Sequence, residues 1–137
     1  MSRYVAIVDG TPGAYGVSFP DTPGCVAMGH TVDEAIKNAG AALAEWSADV
    51  VADGGRLRPP RGIEELRHDD DVVATFAEGP AMFAVIPLVL NSGKPARANI
   101  SLDTGLLQAI DDAASRLGLT RSAFLATAAR EKIEATY

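Results

Sequence analysis

The run Tyr15-Gly16-Val17-Ser18-Phe19-Pro20-Asp21-Thr22-Pro23-Gly24-Cys25 changes character in its middle. Tyr15, Val17 and Phe19 alternate with small or polar residues, which predicts a strand with one buried face. Pro20 to Gly24 then break it, and Asp21 reads as a turn residue between two prolines. Cys25-Val26-Ala27-Met28 resumes as a further strand, with Cys25 a small buried hydrophobe. Upstream, the β-branched apolar run Tyr4-Val5-Ala6-Ile7-Val8 reads as a first strand ending at Asp9-Gly10. Thr11-Pro12-Gly13 supplies the turn between them. Three short strands joined by tight turns make an antiparallel meander.

Downstream, Thr31-Val32-Asp33-Glu34 predicts a helix start in which Thr31 accepts from the Glu34 N–H and Glu34 reaches back to the Thr31 N–H. Val32, Ile36, Ala39, Leu43, Trp46 and Val50 form the stripe that packs on the sheet, and Asp53-Gly54-Gly55 ends the helix. From Arg56 to Gly79 the chain is polar, with a short helical turn near 63–66. Asp69-Asp70-Asp71 reads as a solvated loop and Val72-Val73-Ala74 as a brief strand. Met82 to Leu90 is nearly all apolar and reads as an edge or bent strand, because Pro87 cannot donate to a ladder. Asn91-Ser92-Gly93 is a linker.

Beyond it the pattern changes. Arg97-Ala98-Asn99-Ile100-Ser101-Leu102 alternates strictly, with Ala98, Ile100 and Leu102 on one side and Arg97, Asn99 and Ser101 on the other. Asp103 or Thr104 caps a helix with buried positions at Leu106, Leu107, Ile110, Ala114 and Leu117, stopped by Gly118. Thr120 caps a second helix carrying Phe124, Leu125, Ala128 and Ile133. Strand, helix, helix in about 44 residues is too little for a self-sufficient core, so dimerisation is expected.

Charge divides the chain at the same place. Residues 1–93 carry six basic against thirteen acidic side chains, a net −7, and residues 94–137 carry six basic against five acidic, a net +1. That asymmetry suggests different partners for the two segments, here taken as domains 1–93 and 94–137. The composition, 47% hydrophobic and 22% charged, is that of a folded domain rather than a disordered one. No apolar run reaches the roughly 18 residues of a membrane span, and the N-terminus does not read as a signal peptide. Cys25 alone forms no internal disulfide, and with only His30 and His68 beside it no metal set or cofactor is expected. A cytoplasmic protein without membrane partners is the expectation.

Two stretches carry a resemblance. The run from Tyr15 to Cys25, followed by Gly29-His30-Thr31-Val32-Asp33-Glu34-Ala35, closely resembles the signature of HicB-type antitoxins. Asn99 to Leu102, with Leu117-Gly118-Leu119-Thr120-Arg121-Ser122-Ala123-Phe124-Leu125, resembles ribbon-helix-helix repressors, a common C-terminal module of that family. The resemblance implies an α+β chain: a partial RNase H-like domain of antiparallel strands plus helix, then a ribbon-helix-helix domain. It implies an antitoxin that neutralises a HicA-type mRNA-cleaving ribonuclease toxin and represses its own operon as a homodimer, or as a tetramer where front domains also meet.

In such a dimer two strands pair and lie in the major groove. Arg97 can then read guanine, Asn99 adenine and Ser101 either, over a shared core of Ala98, Ile100 and Leu102. Thr120, Arg121 and Ser122 open the second helix, where free N–H groups attract phosphate, and Lys94 can touch the DNA backbone. The plain alternatives are a half-exposed strand of the main sheet, simple capping by Thr120, and a solvated linker charge at Lys94. A metal-dependent RNase H-like nuclease is the competing function, since such enzymes hold metal ions with carboxylates. Against it, Asp33 and Glu34 have capping roles and Asp21 a turn role. The expectation is therefore no catalytic residue and no metal.

Overall fold

The structure, a computed structural model, describes residues 2–91 and 93–136, so the central residue of the linker Asn91-Ser92-Gly93 lies outside it. Two compact units divide the chain, a front unit up to Asn91 and a tail unit ending at Thr136.

The front unit is built on β1 (Arg3–Thr11), β2 (Ala14–Ser18), β3 (Val26–Gly29) and β4 (Ala81–Pro87). Every pairing is antiparallel and the order is β3-β2-β1-β4. The unbroken apolar run Tyr4–Val8 is explained by that order: β1 is central and buried on both faces. Tyr4, Ala6 and Val8 share a core with Val17, Phe19, Ile86 and the helix α1 (Val32–Ala52). Val5 and Ile7 pack the other way, on Leu66 and Val72. Those residues belong to α2 (Ile63–Leu66) and α3 (Asp70–Ala77). Phe76 and Phe83 close this second core with ring centroids 4.7 Å apart. β4 is an edge strand and ends at Pro87, opposite Arg3, where a missing donor costs nothing.

Three local readings are corrected. Residues 72–74 are helical: Asp69 accepts from the N–H groups of Asp71 and Val72 and so caps α3, with Asp70 and Asp71 in its first turn. The acidic triplet is thus a helix start. The α1 stripe is shifted, since Ala35, Ala39, Leu43 and Ser47 are the buried positions and Val32, Ile36, Trp46 and Val50 flank them. Small residues lie at the centre because helix and sheet approach closely there. A Cβ on Gly29 would collide with the backbone of Ala35, and Asn38 donates to the Met28 carbonyl at 2.8 Å. Finally, Thr31 accepts from the Glu34 N–H at 3.1 Å as predicted, but Glu34 reaches the N–H of His30, not of Thr31. Gly54 (φ +80°) ends α1, and Gly55 donates back to Val50.

The tail unit holds α4 (Thr104–Arg116) and α5 (Arg121–Thr136). Asp103 caps α4 by accepting from Gly105 and Leu106. Gly118, at φ +69°, ends it while Leu119 donates back to Ala114 at 2.8 Å. Thr120 caps α5 by accepting from Ala123 at 3.1 Å. The sequence placed all three stops and starts correctly because each is a local backbone event.

Candidate functional site

The candidate site is the tail unit, and its defining property is apolar surface left open. Residues 97–102 form no strand in the single chain, and all six side chains are exposed. This corrects the strand reading for one copy: a strand needs a partner for its N–H and C=O groups, and none is supplied by the described residues of the tail. The side chains assigned to a dimer core, Ala98, Ile100 and Leu102, are exposed together with Arg97, Asn99 and Ser101; Ile100 is 64% exposed.

The helices share the deficit. Of the predicted buried positions, Ile110 and Ala114 are buried and Leu107 is half-buried, whereas Leu106 and Leu117 are exposed, at 51% and 66%. In α5, Phe124, Leu125 and Ile133 are half-buried, Ala128 is exposed, and no described residue is fully buried. Burying a Leu or Ile side chain stabilises by about 1.5–3 kcal/mol. Ile100, Leu102, Leu106, Leu117 and Leu119 together therefore leave a large unused contribution on one small unit.

The polar residues assigned to phosphate are distributed as follows. Thr120 and Ser122 stand at the start of α5, exposed, with Thr120 also the cap, and Lys94 is exposed before the 97–102 segment. Arg121 is engaged in a contact that the sequence did not reveal. Its Nε and Nη2 donate to the two carboxylate oxygens of Asp111 in α4, each at 2.8 Å. The Arg121 guanidinium holds the Asp111 carboxyl below the usual carboxylate range. Ten residues separate the partners, too far for helix periodicity to point to the pair.

In the front unit the sequence reading missed a second polar centre. Asp21 is not merely a turn residue: it is 5% exposed and accepts from the Arg61 main-chain N–H and from Arg61 Nε, both at 2.7 Å. Arg61 Nη1 donates on to Asp69 at 2.9 Å, and this contact holds the Asp69 carboxyl low. The polar segment after α1 is thus tied to the β2–β3 connection and to the cap of α3. Tyr4 adds a further tie by donating to the Arg58 carbonyl at 2.6 Å. Burial, then the Asp21 charge, push its phenol up, which keeps it a donor. No sequence signal links positions 21 and 61, which lie 40 residues apart.

The remaining candidates are placed simply. Cys25 is buried just before β3, and burial pushes its thiol up, away from reactivity. His30 is exposed beside Glu34. Among the described residues no group of three or more His, Cys, Asp or Glu side chains is placed to hold a metal ion. No described helix is long and apolar enough to cross a membrane. On the front sheet, Val26 and Met28 of β3 lie open, at 65% and 70% exposure.

Comparison with known proteins completes the description. No curated protein matches the chain. Among solved structures, the Burkholderia pseudomallei antitoxin HicB is similar at 30% identity and a TM-score of 0.56, covering 94% of this chain and 96% of that one. The N-terminal domain of the same antitoxin, solved alone, matches at 26% identity and 0.51, over 64% of this chain and 99% of that one. The antitoxin HicB3 matches at 27% identity and 0.52, over 96% and 97%. The mixed α+β architecture is therefore that of HicB antitoxin structures. A family model described as the HicB-like antitoxin of bacterial toxin–antitoxin systems matches residues 4–129, nearly the whole chain, and the protein accordingly belongs to that family.

Proposed function

We propose that this antitoxin has two working surfaces. The front unit, with the sheet and helix of a partial RNase H-like domain, binds and neutralises a HicA-type mRNA-cleaving ribonuclease toxin in the cytoplasm. The tail pairs with a second copy as a ribbon-helix-helix module and binds operator DNA. The protein acts by binding and is not itself an enzyme.

The observation that carries the tail reading is its open apolar row. Ile100, Leu102, Leu106, Leu117 and Leu119 are too exposed for a finished unit, and a second copy with the same row supplies the missing side of the core. Pairing the two 97–102 segments would satisfy their backbone groups and bury Ala98, Ile100 and Leu102. Arg97, Asn99 and Ser101 would then project from the ribbon as base readers. Lys94, Thr120, Arg121 and Ser122 are the phosphate side of the reading. A tetramer follows where front units also associate.

For the front unit the support is charge. Its excess of acidic side chains complements a basic RNA-binding toxin, because opposite potentials steer encounter and disfavour wrong partners. One experiment tests both surfaces. The full chain is co-expressed with the toxin, purified, and titrated with a duplex from upstream of its own coding sequence. Retention of the toxin and preference for that duplex over a scrambled one are expected. Retention of the toxin without any DNA binding would remove the tail's role. RNA cleavage by the chain alone, with magnesium or manganese, would overturn the reading as a binding protein.

A further inference from the structure

We infer that Asp111 is a brake on DNA binding: its carboxylate competes with DNA phosphate for the Arg121 guanidinium. The inference rests on the tail being a DNA-binding module. Arg121 is the first residue of α5, where unpaired N–H groups and the helix dipole favour an approaching phosphate. Its side chain is instead turned onto α4. Two parallel bonds of 2.8 Å, Nε to Oδ1 and Nη2 to Oδ2, hold it there. That planar fork suits carboxylate and phosphate alike, so one anion can displace the other.

The pair is built to exchange. Arg121 is 53% exposed and Asp111 39%, so phosphate can reach the guanidinium without unfolding anything. An exposed pair of this kind is worth at most about a fivefold equilibrium factor, small beside the gain from several phosphate contacts. The carboxylate is held below its usual range by Arg121 and is charged at neutral pH. Its two effects share one sign. While closed, the pair shows DNA no net charge; once opened, a bare carboxylate stands near phosphate. With six basic side chains against five acidic ones in residues 94–137, neutralising one cation is a large fraction of the attraction.

The neighbouring carboxylate supplies the control. Asp112 accepts from Gln108 Nε2 at 3.1 Å and makes no bond to Arg121. Asp112→Asn therefore removes the same charge from the same turn and leaves the fork intact.

The full chain is titrated with the upstream duplex and a scrambled duplex at two salt concentrations. Asp111→Asn is expected to tighten binding to both by about fivefold or more and to steepen the salt slope by about one unit per copy. Asp112→Asn is expected to give clearly less. Arg121→Ala should weaken binding to both duplexes, and in that background Asp111→Asn should tighten binding no more than Asp112→Asn does. Binding that is unchanged or weaker in Asp111→Asn, or no tighter than in Asp112→Asn, overturns the brake and leaves a strut between helices. So does a gain from Asp111→Asn that is as large in the Arg121→Ala background as in the unsubstituted chain; should Asp111→Asn fold poorly, Asp111→Ser is read in the same way. Failure of the unsubstituted chain to bind either duplex overturns the DNA reading and the brake with it, and is recognised before any substitution is made.

Discussion

Asp21→Asn alters charge and one donor group while keeping size, so it isolates the tie between the β2–β3 connection and the segment after α1. Asp21 is 5% exposed and accepts two bonds of 2.7 Å, from the main-chain N–H and the Nε of Arg61. Asparagine offers one oxygen and one amide nitrogen, so one bond survives in weakened, neutral form and the other becomes donor against donor. A hydrogen bond to a charged group contributes about 1.5–3 kcal/mol. The Arg61 side chain is 33% exposed, so water relieves part of the guanidinium's loss. The net cost is about 2–3 kcal/mol. Arg61→Gln should cost a similar amount, about 2–3 kcal/mol, because it removes the side-chain bonds to Asp21 and Asp69 and leaves the buried carboxylate without its countercharge, while the main-chain bond to Asp21 remains. Trp46, the single tryptophan, is half-buried in α1. A Cβ on Gly24 would lie 3.9 Å from its Nε1, which places the ring beside the β2–β3 connection. Its fluorescence during urea unfolding therefore reports on the front unit, and the midpoint should fall by about 1–2 M in Asp21→Asn. A midpoint within about 0.3 M of the parent chain for either variant would refute the reasoning.

Other outcomes follow from the same geometry. If the tail pairs as proposed, Ile100→Lys should abolish that dimer in sedimentation while Trp46 fluorescence stays native, because a charge in the shared core would cost several kcal/mol; an unchanged dimer would mean that the front units hold the copies together. Arg97→Ala should lose about 1–3 kcal/mol on the upstream duplex and relax preference at one base pair, and equal losses on scrambled DNA would assign Arg97 to phosphate instead. In acid, Asp69 and Asp111, whose carboxyls are held low by Arg61 and Arg121, contribute stability that is fully present above the usual carboxylate range. That contribution is lost as pH falls through their depressed values. Thermal melts should thus be insensitive to these pairs from neutral pH to about 5 and fall below about 4; a stability that rises below pH 4 would contradict both pairs.

What the residues determined by themselves was local. The capping residues Thr31, Asp103 and Thr120, and the helix stops at Gly54 and Gly118, were legible because each depends on backbone groups a few residues away. The apolar run Tyr4–Val8 marked β1 as a strand, and Pro87 marked β4 as an edge or bent strand, whereas the burial of β1 on both faces was settled by the sheet order and the two cores. Two errors came from the same locality. Val72-Val73-Ala74 reads as strand by β-branching, yet Asp69 caps a helix and the second core takes Val72 from one helical face. The α1 stripe includes Ala39 and Leu43, which are buried, but passes over Ala35 and Ser47 in favour of larger neighbours, whereas the close approach of β3 at Gly29 puts Ala35 at the centre. Only the tertiary structure decided the long-range ion pairs, Asp21 with Arg61 and Arg121 with Asp111, because charges 40 and 10 residues apart carry no periodicity that marks them as partners. The alternation of residues 97–102 lies between these cases. It reads as a strand with an apolar side, but among the described residues of the tail it has no pairing partner, forms no strand, and leaves those side chains exposed.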